Sequence, residues 1–270
     1  MISISNLSKR FGKTLAVDHI ELTVEPGRVM GFLGPNGAGK TTTIRMLAGL
    51  MKPDTGTVIL GGYNLAEEPE RAKAITGFVP DRPYLYEKLT GWEFLEFIAG
   101  LYKVDTADLE RVGMRYLEIF ELRDWKDELV EGYSHGMKQR LVISAALLHQ
   151  PKVFIIDEPM VGLDPKGVRL VKNLFTEMAH SAGMSVFLST HTLAVAEEIC
   201  SDITIIHKGK IIASDTPQGL KGAISKSGGN LEQAFLKLTD AEDVEGLKGS
   251  LGLQGWPAGT PSEENGPVEW

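Results

Sequence analysis

Apolar and polar positions alternate with period two in "HIELTV", and the opening "ISI" is short and apolar, so the chain begins with β-strands. "RVMGFLG" has the apolar density of a buried strand and runs into a glycine-rich loop. "KTTTIRMLAGL" then has helical spacing and stops at the turn "KPDTG". "TVIL" and "ITGFV" predict two further strands. From residue 90 to residue 150 the pattern becomes helical. Thr90 with Glu93 forms a capping box, and Phe94, Leu95, Ile98, Leu101 and Tyr102 share one face of the helix that follows. "TADLERVGMRYLEIF" and "SHGMKQRLVISAALLHQ" predict two more helices. Strands then return. "KVFIID" is almost wholly apolar, as a strand buried on both faces would be. Asp164-Pro165 starts a helix to about residue 181 as an N-cap with proline at the first helical position. "MSVFLS" is a strand and "TLAVAEEI" a helix, and "ITIIH" and "KIIAS" form a hairpin through Lys208-Gly209. Alternating strands and helices predict an α/β core with a mainly parallel sheet, into which a helical block of about residues 82–150 is inserted.

Near the C-terminus, "NLEQAFLKL" predicts a short amphipathic helix within residues 226–240. Beyond it the composition shifts to Gly, Pro, Ser and Glu. Six acids and one lysine fall in residues 241–270, so most of the net charge of −8 sits there, and the segment reads as a disordered acidic tail with Trp256 and Trp270 as its only aromatics. The rest of the 270 residues, at 43% hydrophobic and 24% charged overall, matches a soluble globular chain. A single cysteine, Cys200, allows no intrachain disulfide and fits a reducing compartment. The acidity, with no run of Lys and Arg, argues against nucleic acid as a partner. No apolar run approaches the ~20 residues that span a bilayer, and "MISISNLSKRFG" lacks the apolar core of a secretory signal.

Four motifs carry chemistry. "GPNGAGKT", residues 34–41, matches G-x-x-x-x-G-K-[ST] between an apolar strand and a helix. There the backbone amides form an anion nest, the helix N-terminus adds partial positive charge, Lys40 reaches the β- and γ-phosphates, and the Thr41 hydroxyl can ligate Mg²⁺. "VFIIDEP" ends an apolar strand in two acids. Asp157 is placed to hold Mg²⁺, directly or through water, and Glu158 to act on a water. "YSHGMKQR" opens a helix with a hydroxyl and free amides, a second anion site, although a plain capped helix has the same spacing. "LSTH" presents His191 at a strand tip.

Taken together and in order, these residues resemble the nucleotide-binding subunit of an ATP-binding cassette (ABC) transporter over about residues 2–225. "GPNGAGKT" looks like the Walker A motif, "VFIIDEP" like Walker B with its catalytic glutamate, "YSHGMKQR" like the signature, "GLDP" (162–165) like the D-loop, and His191 like the switch histidine. The resemblance implies a P-loop NTPase core with a mainly parallel sheet, an N-terminal antiparallel β subdomain and an inserted helical subdomain. It implies that Glu158 and His191 are catalytic. Nucleotide would be bound by Gly34, Pro35, Asn36, Gly37, Ala38, Gly39, Lys40, Thr41 and Thr42, by Phe11 stacking on adenine, and by Ser134 and Gly136 of a second ATP-binding subunit, identical or not. Thr41 and Asp157 would hold Mg²⁺. A separate integral-membrane permease would place the subunit on the cytoplasmic face of the membrane.

Two features depart from the family pattern. His135 stands where the signature has a glycine, and Asp81 stands at the position of the Q-loop glutamine. Both are similar to a bacterial exporter branch that handles drugs, antibiotics or lipids, as is "NLEQAFLKLT". An aspartate only accepts hydrogen bonds and would repel a bare γ-phosphate, so Asp81 is expected to act through the water shell of Mg²⁺ or as a hinge contact. Tyr84, Leu85 and Tyr86 lie where the family meets its permease, though packing within the helical subdomain explains them nearly as well. The alternative function is a soluble cassette ATPase acting on the ribosome or on nucleic acid.

Overall fold

The computed structural model describes residues 1–82, 84–224 and 231–239; Pro83, the start of the predicted C-terminal helix and the acidic tail with Trp256 and Trp270 lie outside the described residues. The chain opens with β1 (Ile2–Phe11) and β2 (Thr14–Val24), paired antiparallel from Ile2↔Val24 to Phe11↔Thr14. Strand β3 (Val29–Leu33) leads through the glycine-rich loop into α1 (Lys40–Leu47). Next come β4 (Thr55–Leu60), β5 (Tyr63–Asn64), α2 (Pro69–Ala74) and β6 (Thr76–Val79). The helical block holds α3 (Gly91–Tyr102), α4 (Thr106–Asp108), α5 (Met114–Ile119) and α6 (His135–Leu147). The second half alternates β7 (Val153–Asp157), α7 (Pro165–Ala182), β8 (Ser185–Ser189) and α8 (Leu193–Ile199). It ends in β9 (Asp202–His207), β10 (Lys210–Asp215), α9 (Pro217–Ile224) and α10 (Leu231–Thr239).

Two sheets result. Strands β2, β1, β4 and β5 make a four-stranded antiparallel sheet, and β10, β9, β3, β8, β7 and β6 make the central six-stranded sheet in that order. All central neighbours are parallel except the β9–β10 hairpin. Every residue of β3, β7 and β8 is buried, as the apolar runs predict. The period-two alternation divides those runs between two cores. Phe32, Ile155 and Phe187 pack toward α1 and the antiparallel sheet, while Leu33, Phe154, Ile156 and Leu188 pack toward α6 and α7 on the opposite face. The central sheet is therefore a middle layer with a close-packed core on each side.

Caps fix where the helices start. The Thr90 hydroxyl accepts from the Glu93 amide at 3.1 Å and the Glu93 carboxylate accepts from the Thr90 amide at 2.8 Å, the reciprocal pair expected from sequence. Asp164 accepts from the Gly167 amide at 3.1 Å and starts α7. The stretch expected to be one helix from residue 106 instead contains a wide π-turn, Leu109–Gly113, between α4 and α5. Propensity alone carries no signal for such a turn. Helix α2 went unpredicted because six residues with only Ala72 buried leave no period to detect.

Replacing Thr90 by Ala removes one half of the capping box, and is expected to cost about 1 kcal/mol. A urea melt of the variant should show a lower midpoint with unchanged slope.

Candidate nucleotide site

The loop between β3 and α1 is shaped by close approaches that only glycine allows. A Cβ on Gly39, which has φ 111° and caps α1 without any side-chain bond, would stand 2.5 Å from the Ala16 carbonyl oxygen. The amides of the first turn of α1 are therefore left without a side-chain acceptor and border a cleft of about 170 Å³ lined by Asn36, Gly37, Gly39, Lys40, Thr41, Thr42 and, from β2, Ala16. The Lys40 ammonium donates to the loop's own carbonyls, Gly34 O at 2.6 Å and Pro35 O at 3.1 Å. Partial burial pulls its pKa below the ordinary lysine value, against the opposite pull of Glu158 and Asp157. Phe11 sits at the end of β1, 48% exposed, with the Lys9 ammonium 5.9 Å from its ring centre; it does not line this cleft.

Strand β8 lies between β3 and β7 and brings the remaining groups to the same edge. Asp157, at the end of β7, is 5% exposed and accepts a hydrogen bond from the Ser189 hydroxyl at the end of β8. Burial pushes its pKa up; the Ser189 bond opposes this, Asp81 and Glu158 add to it, and Lys40 opposes it. Asp81, though exposed, is thus close enough to Asp157 to be felt electrostatically. Glu158 occupies the left-handed region at φ 51°, where a non-glycine backbone is strained by about 1–3 kcal/mol. Its amide donates to Ser189 O at 3.2 Å. Its carboxylate faces His191, with Nδ1 2.9 Å from Oε2.

A second cavity of about 200 Å³ joins these halves. Gly34, Pro35 and Asn36 line it from the phosphate loop, Thr190 and His191 from the loop after β8, Leu193 from the start of α8, and Phe235 from α10. The sequence gives α10 as amphipathic but contains no signal for where it docks, so Phe235 was not foreseen. Ser189 was equally unforeseen as a partner of Asp157, although it lies in the "LSTH" stretch.

Ser134 and Gly136 line neither cavity. They open α6, where the Ser134 hydroxyl accepts from the Met137 amide at 3.3 Å; Ser134 is exposed, and Gly136 is half-buried against Gly162. Tyr84 (89% exposed) and Tyr86 (58% exposed) lie on the loop leading to α3, Tyr86 edge-on to Phe97, while Leu85 packs against the core.

A parallel sheet whose buried strand feeds a glycine loop and helix, with a buried aspartate and a following glutamate two strands away, defines a P-loop nucleotide hydrolase. Comparison with known proteins narrows this class: the ABC transporter family model matches residues 17–161, and the chain belongs to that family. It is 35% identical to the ABC-type transporter ATP-binding protein EcsA of Bacillus subtilis, over 88% of this chain and 96% of that protein. It is 38% identical to the bacitracin transport ATP-binding protein BcrA of Enterococcus faecalis, over 78% of this chain and 68% of that protein. A solved ATP-binding subunit of an ABC transporter superposes with a TM-score of 0.83 at 33% identity, covering 88% of this chain and 99% of that one. The α/β P-loop class expected from sequence holds, and the protein is an ATP-hydrolysing subunit of ABC type.

Because burial raises the folded pKa of Asp157, its ionised form burdens the fold at neutral pH, and that burden fades as pH falls through the folded value. Asp157→Asn should therefore melt higher than wild type without nucleotide at pH 7–8. The gap should close as the pH approaches the carboxylate range. Thermal melts across that range check it.

Proposed function

We propose that two ATP-binding subunits close head to tail around two ATP molecules and that hydrolysis, powering a separate membrane permease, reopens them. The observation that carries this reading is the division of the site. The phosphate loop, Asp157, Glu158 and His191 meet at one edge of the sheet, while Ser134 and Gly136 line neither cavity and Ser134 is exposed at the start of α6. A second subunit, identical or related, supplies its Ser134 and Gly136 equivalents to the open side of the cleft.

In this reading the amides of residues 34–42 and the start of α1 hold the phosphates, and Lys40 exchanges its loop carbonyls for phosphate oxygens. Thr41 and Thr42 add hydroxyls, and Phe11 stacks on the adenine. Among the described residues, no three acidic, imidazole or thiol ligands converge on one point. The oxygen donors Thr41 and Asp157 suit Mg²⁺, which binds through one or two protein oxygens, water and phosphates. When bound, the ion neutralises charge on the phosphate oxygens. Glu158 accepts the proton of the attacking water, and His191 orients the Glu158 carboxylate through the 2.9 Å contact. Asp81 acts through the water around the ion or as a hinge at the entry to the helical subdomain.

Among the described residues no helix is long and apolar enough to cross a membrane, and this reading assigns the spanning part to a separate chain. In this reading the exposed Tyr84 and Tyr86, on the loop into α3, meet the permease, and the subunit sits on the cytoplasmic face of the membrane. The net charge of −8 and the transport names of the relatives favour a permease over the ribosome or nucleic acid. The bacitracin transport relative favours a drug-like or antibiotic cargo, and export is the direction this reading assigns.

Glu158→Gln is expected to keep ATP binding and to accumulate an ATP-bound dimer with turnover reduced by about 10²-fold or more. Size-exclusion chromatography with ATP measures it, and undiminished turnover would overturn the assignment. Lys40→Ala should weaken ATP binding, as read by fluorescent-nucleotide titration. Asp81→Ala should alter the Mg²⁺ dependence of hydrolysis or its coupling to transport; if both stay intact, Asp81 has no role in the site.

A further inference from the structure

The loop between β7 and α7, "EPMVGLD", begins at Glu158 and turns back against the start of α6. Gly162, at φ 78°, lies directly under the His135 ring. A Cβ built there would overlap His135 Cδ2 and stand 2.6 Å from His135 Nε2. A Cβ on Gly136 would stand 2.9 Å from Gly162 O, so the two backbones are also at close approach. The loop is itself tightly wound. The Val161 amide donates to Glu158 O and the Leu163 amide to Met160 O, both at 3.3 Å, and Asp164 caps α7. The His135 ring is exposed and adds nothing to either core, so hydrophobic burial gives no reason for it to fit against a bare Cα.

We infer that His135 is a positioning residue whose ring, seated on Gly162, couples the outward-facing start of α6 to the subunit's own Glu158. The inference rests on the head-to-tail reading above. Ser134 and Gly136, which flank His135, would then touch the ATP held by the second subunit. Displacement of the α6 start by that nucleotide is passed through the ring to Gly162. From there two hydrogen-bonded turns carry it to Glu158, whose left-handed backbone leaves it few alternative positions. Each subunit thereby adjusts its own water-activating carboxylate to the occupancy of the other subunit's site. The contact is one of shape, so a flat ring suffices and a titratable nitrogen is not required.

The test is ATP hydrolysis by the full chain in four variants. Gly162→Ala places a methyl group inside the ring and should lower kcat by about tenfold, with KM for ATP within about twofold because the Lys40 cleft is untouched. His135→Ala should lower the Hill coefficient for ATP toward one. The double variant His135→Ala/Gly162→Ala should run about fivefold or more faster than Gly162→Ala, because the clash is gone. His135→Phe, which keeps a flat ring, should retain the wild-type kcat and Hill coefficient. A double variant as slow as Gly162→Ala would show that the left-handed backbone at residue 162 alone sets the defect, and would overturn the coupling. So would a His135→Phe variant that behaves like His135→Ala. If Gly162→Ala does not fold, the comparison of Ala with Phe at residue 135 decides alone. The head-to-tail reading is judged separately, by whether Glu158→Gln forms an ATP-bound dimer; a dimer there with no suppression here rejects only the role of His135.

Discussion

The arrangement depends on keeping a carboxylate charged at the buried end of β7. Withdrawing Asp157 from water disfavours its ionised form, and the fold offsets this with a hydroxyl from Ser189 and the nearby ammonium of Lys40. Both offsets require β8 to sit between β3 and β7. That order places the Ser189 hydroxyl against Asp157 and puts the phosphate loop within electrostatic reach of both acids. The parallel sheet, the two cores that bury its faces and the shared C-terminal edge are thus the means by which one acid is held dry and still ionisable.

The same edge explains the conformation of Glu158. A strand that simply continued past Asp157 would send the next side chain to the opposite face of the sheet. The left-handed turn at Glu158, fixed by its amide on Ser189 O, re-aims the carboxylate toward His191 instead. Strain of this kind persists only where the surroundings over-determine it. Here the apolar pairing of β7 with β8 up to Asp157↔Ser189 holds one side, and the capped start of α7 holds the other.

The sequence revealed those parts of the site that are local in the chain. Glycines at fixed offsets before Lys40, two acids after an apolar strand and a capping residue before α6 each report a backbone need of their immediate neighbourhood, so their elements were legible. The contacts that complete the site join residues far apart in sequence. Ser189 meets Asp157 because of strand order, and Phe235 reaches His191 and Pro35 because α10 packs on α8. Neither follows from a period or a motif. The π-turn in the helical block was hidden for a different reason: "TADLERVGMRYLEIF" has helical spacing throughout, and one wide turn barely changes which residues face the core.

Charge at the site is unbalanced in a way that bears on how it works. Asp81, Asp157 and Glu158 all act electrostatically on one another or on Lys40, the single lysine in the phosphate-loop cleft. A glutamine at residue 81 would leave two carboxylates against one ammonium; aspartate makes it three. Three carboxylates near one ammonium weaken the attraction that the loop amides and Lys40 exert on a triphosphate. The balance shifts only if a cation arrives with the nucleotide, or if partner amides at the start of α6 add their partial positive charge. Asp81 therefore makes the site more dependent on those two contributions than a neutral residue would. In the proposed head-to-tail reading, carboxylates that are balanced only when metal, nucleotide and second subunit are all present tie hydrolysis to the closed assembly.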